Sequence, residues 1–423
     1  MKDTARRRAK SQETTTEGPL FAAMREARTS LHDAVVTAGM TVLSAMLEED
    51  RARLCGPRYA HDPHRRASRA GHAEGELAMG GRRVRISRPR VRGSDGREVP
   101  LETWERFAEA DPLTPRAVEQ MVLGVSTRNY ARSIEPAPAQ VPTRGTSKSA
   151  VSRRFVSATG EKLAEMMSRD LSGLAICATM IDGIHMGEHL VLAALGIDEV
   201  GEKHVLGLYE GASENETTCT ALISDLTSRG LRTDRSMLFV IDGSKGLAKA
   251  IRAVYGKRAI FQRCQVHKRR NVEDHLPEDM RKGVGRTIST AYKCGDADRA
   301  KRMLESLARQ LERKHPSAAA SLREGLDETL TVLRFGLPHG LMRTLATTNP
   351  IEFLNGRIRK TTHNVTRWDG TMVLRWVALA LDEASKTFRK LRSHQGMPKL
   401  VAGLRAHDAL LETKAIDGSK KAA

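Results

Sequence analysis

The sequence predicts an α/β chain in which a mixed-sheet core is split by an all-α block and preceded by a mainly helical, basic region. Two observations predict it. From about residue 171 to 265, apolar runs of strand length and amphipathic runs follow one another in the order β-β-β-α-β-α-β. Residues 266–345 then carry leucine stripes at helical spacing, and a further helix with its own start signal follows within 346–395. At 423 residues the chain is long enough for two or three domains of about 100–200 residues each. Hydrophobic residues make up 40% and aromatics only 4%, so the core must rest on Leu, Val, Ile, Ala and Met.

Charge narrows the partner. Seventy Lys and Arg against 51 Asp and Glu leave a net charge of +19, a field that attracts polyanions, nucleic acid first among them. An anionic membrane would need a basic amphipathic anchor, and the basic stretches here lack an apolar face. The five cysteines are odd in number and scattered, which suits a reducing cytoplasm rather than a disulfide framework. The first twenty residues hold no apolar signal-peptide core. The longest apolar run, Leu190 to Ile197, is too short to cross a bilayer, and a soluble intracellular protein is expected.

In chain order, residues 1–20 are a polar tail. Residues 21–110 form a basic region with an amphipathic helix over about Leu20–Arg51 and a short β-hairpin in GRRVRISRPRVRGSDGREV, turning at Ser-Asp-Gly. Arg82, Arg83, Arg85, Arg88, Arg90 and Arg92 either contact phosphates or form a solvated edge that blocks aggregation. Residues 111–170 resemble a helix-turn-helix DNA reader: a helix starting near Thr114, a turn at Gly124, a second short helix opening at Ser126, a Pro-rich linker, and a helix capped by Ser147. On that last helix Lys148, Ser149, Ser152, Arg153 and Arg154 would face DNA, leaving Val151 and Phe155 for packing. The core follows in 171–265 and 346–395, with 266–345 as the all-α insertion, and 396–423 close the chain as a helix and basic tail. The order β-β-β-α-β-α-β is that of the ribonuclease-H-like fold.

Two acids mark that core. Asp182, in IDGIH, lies at or near the end of the first strand, and Asp242, in VIDGSKG, ends the fourth. Each could be no more than a strand-to-turn signal, Asp and Gly being turn residues. A buried isolated carboxylate is costly, however, and the first and fourth strands of a ribonuclease-H-like sheet are neighbours, so the pair can share a hard cation. Glu352 stands in NPIEF, where Asn349 suits the N-cap, Pro350 the first helical position and Glu352 the reciprocal place of a capping box. If that helix packs near the two aspartates, the same carboxylate completes a metal site, with Arg357, Arg359 and Lys360 available for phosphates. Two cations about 3.5–4 Å apart can activate a nucleophile and stabilise a leaving oxygen. One Cys-x-x-His pair, Cys264 and His267, is too few for structural zinc, and the spacing of Cys55, His61, His64 and His72 matches no standard finger. Trp368 either stacks on a base or anchors the last helix of the core.

MIDGIH, VIDGSKG, CQVHKRRN and TTNPIEFLNGRIRK resemble, in order and spacing, the motifs of the Mutator-type bacterial insertion-sequence transposases of the Asp-Asp-Glu class, over about residues 80–400. The resemblance implies Asp182, Asp242 and Glu352 as ligands of two Mg2+ ions, with Mn2+ as a substitute, and Cys264 and His267 as the family's signature pair, His267 contacting DNA or positioning the site. It further implies binding to double-stranded terminal inverted repeats and to target DNA, strand cleavage and transfer by a homodimer or larger assembly, and a cytoplasmic, nucleoid-associated bacterial protein. The competing expectations are a nuclease of the same fold without strand transfer and an inactive DNA-binding regulator.

Overall fold

The computed structural model describes residues 19–59, 67–109, 112–138 and 141–422. His61 and His64 therefore lie outside the described residues, as does most of the predicted N-terminal tail. The chain divides into two compact units, Met1–Met121 with Val125–Arg154 and Val122–Gly124 with Phe155–Ala423.

The first unit begins with α1 (Pro19–Cys55), the long helix predicted from Leu20. It is followed by β1 (Ala67–Met79), β2 (Arg82–Gly93), β3 (Glu98–Val99), α2 (Glu102–Glu109), α3 (Leu113–Val122), β4 (Thr143–Arg144) and the start of α4 (Lys148–Ser168). The arginine-rich β2 does turn into β3 at Ser94-Asp95-Gly96, pairing Val91 with Val99. Its main partner is β1, antiparallel across Gly80-Gly81, a strand that polar RASRAGHAEGELAM does not announce. Gly75 of β1 is needed because the Trp104 ring lies on it: a Cβ there would stand 2.2 Å from the indole. Leu47, Val84, Ile86, Val91 and Leu101 form this unit's small core.

The arginines of β2 are less free than their run suggests. Arg88 and Arg90 both pair with Glu98 of β3, at 2.9 and 2.8 Å, and Arg82 donates to the Glu135 carbonyl. Among the described residues the predicted helix at Ser126 is absent. Beyond the left-handed Gly124 the chain makes only a 3-10 turn at Tyr130–Arg132. Pro136 disfavours the helical region for the residue before it, and buried Tyr130 is anchored by its hydroxyl to the Gly81 carbonyl at 3.0 Å. The helix-turn-helix reading thus loses its second helix. Ser147 does sit at the start of α4, accepting from the Ala150 amide, and Val151 and Phe155 are buried.

The second unit holds β5 (Ile176–Met186), β6 (His189–Asp198), β7 (Lys203–Gly211), α5 (Glu216–Ser228), β8 (Met237–Ile241), α6 (Lys245–Tyr255) and β9 (Ala259–Arg263). The sheet order is β7-β6-β5-β8-β9, antiparallel among the first three and parallel from β5 to β8 to β9. A helical stretch follows: α7 (Gln265–Asp274), α8 (Glu278–Lys293), α9 (Ala297–Glu312), α10 (Pro316–Arg323), α11 (Leu326–Thr329), α12 (Thr331–Arg334), α13 (His339–Leu345), α14 (Asn349–Thr361) and α15 (Gly370–Ser385). Last comes α16 (Met397–Ala422), which runs on through the stretch where a basic tail is predicted.

Side chains of β8 alternate strictly. Met237, Phe239 and Ile241 join the core beneath α5 and α6, while Leu238 and Val240 join the larger core formed with the later helices. Each fully buried Leu or Phe contributes about 2 kcal/mol, and this strand is buried along its whole length on both faces. Buried Gln262 of β9 ties the helical stretch to the sheet, donating to the Thr329 carbonyl and accepting from the Val332 amide, both at 2.9 Å.

Candidate metal centre and its relatives

The parallel register pairs Ala178 with Leu238, Thr179 with Phe239 and Met180 with Val240. Two residues further along, Asp182 on β5 stands level with Asp242, which follows the last residue of β8. Asp182 is not at a strand end: β5 continues to Met186, with Asp182 opposite Ala193 of β6. What ends there is β8, leaving Asp182 facing the opening beside Asp242. Gly243 turns the chain away at φ +114, and a Cβ there would strike the Arg263 guanidinium at 2.5 Å, so glycine is required after the aspartate.

Helix α14 brings the third acid. Thr348, not Asn349, is its N-cap, which moves Glu352 out of the capping-box position. The buried Thr348 hydroxyl donates instead to Glu352 Oε1 at 2.5 Å, and its amide points to Cys264 Sγ at 3.4 Å. One turn later buried Asn355 donates from Nδ2 to Asp182 Oδ2 at 2.9 Å, tying α14 to β5. Asp182 Oδ1 accepts from the Gly183 amide and Asp242 Oδ1 from the Ser244 amide. Burial first, then the neighbouring Asp242 charge, push the Asp182 carboxyl up to about 6, with Glu214 and Glu352 adding to it. Glu214, just before α5, is itself raised by burial and by Asp242, against a hydrogen bond from Ser244.

Asp182, Asp242 and Glu352 thus share one electrostatic site, yet among the described residues they do not all approach within 4.8 Å of one another; Cys264, His267 and Glu352 do. His267 Nδ1 is 3.8 Å from Glu352 Oε1 and 3.4 Å from the Thr348 hydroxyl. Its pKa is raised, chiefly by its hydrogen bond to Cys264 and further by Glu352 and Asp242. Burial alone would lift the Cys264 thiol; hydrogen bonds from His267 and Thr348 outweigh it and lower it. The neighbouring Lys268 is structural. It is buried and donates to the Ser321 and Glu324 carbonyls, both at 2.5 Å, its pKa lowered by burial to about 8.

Of the residues predicted for phosphate contact, Lys148, Ser149, Arg153, Arg359 and Lys360 are exposed, and Ser152 and Arg357 half-buried. Arg154, also half-buried, donates to the Gly145 carbonyl at 2.8 Å. Trp368 packs on the larger core over Gly187 at the β5–β6 turn, as an anchor would. Sequence reasoning misses Thr348, Asn355 and Glu214. Spacing offers a signal for Asn355, which shares a helix face with Glu352 at i, i+3; Glu214 lies in a loop and has none.

Two aspartates level on adjacent parallel strands, with a helix that carries a third carboxylate bonded to the first of them, mark an α/β protein whose acids gather in one electrostatic site. The chain belongs to the Mutator family of transposases, whose family model, "Transposase, Mutator family", matches residues 11–390. It is 27% identical over 335 residues to the transposase for insertion sequence element IS256 in transposon Tn4001 of Staphylococcus aureus, covering 76% of this chain and 82% of that one. It is also 26% identical over 390 residues to the transposase for insertion sequence element IS1081 of Mycobacterium tuberculosis, covering 88% and 89%. With the transposase for insertion sequence element ISRM5 of Rhizobium meliloti the identity is 27% over 346 residues, covering 81% and 84%. Among the described residues no helix is long and apolar enough to cross a membrane.

Proposed function

We propose that this chain is a DNA transposase with a ribonuclease-H-like core, which binds the terminal inverted repeats of an insertion sequence and cuts and joins DNA strands at Asp182, Asp242 and Glu352. The observation that carries the reading is the register: it sets two aspartates level on neighbouring strands, with α14 bonded to the first of them and carrying Glu352 one turn away. The donor set fits Mg2+ or Mn2+, being hard carboxylate oxygen throughout; Asp182 is raised first by burial and then by the Asp242 charge, and that repulsion is what a cation would neutralise. Bound divalent ions would lower the pKa of water at this site and stabilise charge on phosphodiester oxygens.

The chain's own groups do the positioning. Asn355 fixes one oxygen of Asp182, and the Ser244 amide fixes one of Asp242. Thr348 holds Glu352, and His267, whose pKa is raised chiefly by its hydrogen bond to Cys264 and further by Glu352, would take up a proton more readily beside the carboxylates, where a DNA phosphate would lie. Cys264 is a poor candidate for a ligand, since it is fully buried and its sulfur already accepts from the Thr348 amide. Exposed Lys148, Ser149 and Arg153, with Ser152 and Arg154 on the same helix, would contact the repeats; Arg357, Arg359 and Lys360 would hold phosphates at the site. A homodimer would pair two element ends in the cytoplasm.

The test is cleavage of a candidate element end in vitro with Mg2+, comparing wild type with Asp242→Asn, followed by strand transfer from pre-cleaved ends. Cleavage and joining that both vanish in the variant support the reading. Undiminished cleavage by Asp242→Asn rejects the site, and wild-type cleavage without joining makes the protein a nuclease.

A further inference from the structure

Two adjoining cavities of about 430 and 490 Å3 share His339, Arg343, Thr347 and Asn349 in their walls and so form one groove, whose wall residues Gln265 and Asn349 are chain neighbours of Cys264 and Thr348. Arg392 lines one end, and Arg269 and Lys293 line the other. Charge here is unbalanced. Lys293, Arg343 and Arg392 are exposed and, among the described residues, have no carboxylate within 4.0 Å, whereas Arg88, Arg90 and Lys268 elsewhere each have one. Arg269, half-buried, is held by Ser289 at 3.2 Å and Glu273 at 3.5 Å.

A second observation is independent of charge. Thr347 is only 7% exposed, lines both cavities, and its Oγ1 has no hydrogen-bond partner. Buried hydroxyls are nearly always satisfied, so one left open between unpaired cations points to an acceptor from outside the chain. Asn349, also in the wall, opens α14, whose amino end favours negative charge. The next residue after Thr347 is Thr348, the hydroxyl that holds Glu352.

We propose that this groove binds the phosphodiester backbone of duplex DNA and leads it to the acidic centre, with Thr347 donating to a phosphate oxygen and Arg343 and Lys293 neutralising the strand. The choice of DNA among polyanions rests on the transposase reading.

The experiment uses the full-length chain and a duplex oligonucleotide of arbitrary sequence, with affinity measured across a salt series. Each phosphate that the protein no longer neutralises should lower the slope of log affinity against log salt by about 0.9. Lys293→Ala with Arg343→Ala should therefore flatten it by nearly two units, while Arg343→Lys keeps it. Thr347→Val should weaken duplex binding several-fold while leaving the melting temperature unchanged or higher, a combination that a hydroxyl with a purely structural role does not produce. An unchanged slope in the double variant overturns the proposal. So does a groove that binds inorganic phosphate, or duplex RNA in place of DNA, while duplex DNA affinity ignores all three substitutions. Cleavage is scored separately with Asp242→Asn: if that variant still cleaves, the catalytic assignment fails while the salt slopes still decide the groove.

Discussion

At the scale of single residues, Asp182 carries the tension of the site. Its folded pKa of about 6 lies above the ordinary 3.8, so the folded protein holds the proton more tightly between those values. Its contribution therefore favours folding below about pH 4 and is lost as pH rises through 6. At pH 7.5, without divalent ions, Asp182→Asn should stabilise the protein by on the order of 1–2 kcal/mol, allowing for the solvent that still reaches the group; with Mg2+ present it should abolish the cleavage that wild type performs. The gain should vanish at pH 4, and thermal melts at both pH values check it; a destabilised variant at pH 7.5 would contradict the account. Thr348 makes the opposite case, a small side chain whose value is geometric. Thr348→Val keeps the buried shape but frees Glu352, and a missing hydrogen bond to a charged group is worth about 1.5–3 kcal/mol. The expected loss is about 10- to 100-fold in the cleavage rate, with duplex affinity unchanged; a loss of affinity at constant rate would argue against positioning.

Among the elements, those legible in the sequence share one property: their pattern comes from burial on a face. The five core strands, α5 and α6 follow from apolar runs and stripes because both sheet faces are covered, and SMLFVIDG reads as a buried strand because β8 has no solvent side. Truncating it should be severe: Phe239→Ala removes a ring packed between Tyr255 and Phe261 and should cost about 3–5 kcal/mol in a denaturant melt. Strand β1 is illegible because its partner faces are polar and its middle is opened by Gly75 for Trp104. The helix expected at Ser126 has local propensity, but Pro136 and the Tyr130 anchor prevail. For the same reason an arginine run cannot be equated with a phosphate-binding surface. Glu98, distant by eight residues from Arg90, takes up both Arg88 and Arg90. Glu98→Gln should release them and tighten non-specific duplex binding at low salt, at a small cost in stability; weaker binding would mean that Glu98 shapes the hairpin rather than masking its charge.

For the whole molecule, the acidic centre is drawn from three places in the chain: β5, the end of β8, and α14, with the helices α7 to α13 lying between the last two in sequence. The long interval from Asp242 to Glu352 says nothing of their proximity; the closure depends on Gln262 and Lys268 fastening the intervening helices and on Asn355 reaching Asp182. A ligand of that centre must therefore stabilise the second unit as a body. It binds only where all three segments are folded together, so its effect should follow RT ln(1 + [L]/Kd), about 2.7 kcal/mol at a hundredfold excess over Kd. Calorimetry with Mn2+ should raise the transition of the unit Phe155–Ala423, while a transition assignable to the unit ending at Arg154 stays in place. The shift should disappear in Asp242→Asn, and it should shrink by about tenfold in affinity per pH unit below 6, where protons compete for Asp182. A shift that persists in Asp242→Asn but is lost on Cys264→Ser would move the cation to the Cys264, His267 and Glu352 cluster and leave the aspartates without a metal to share.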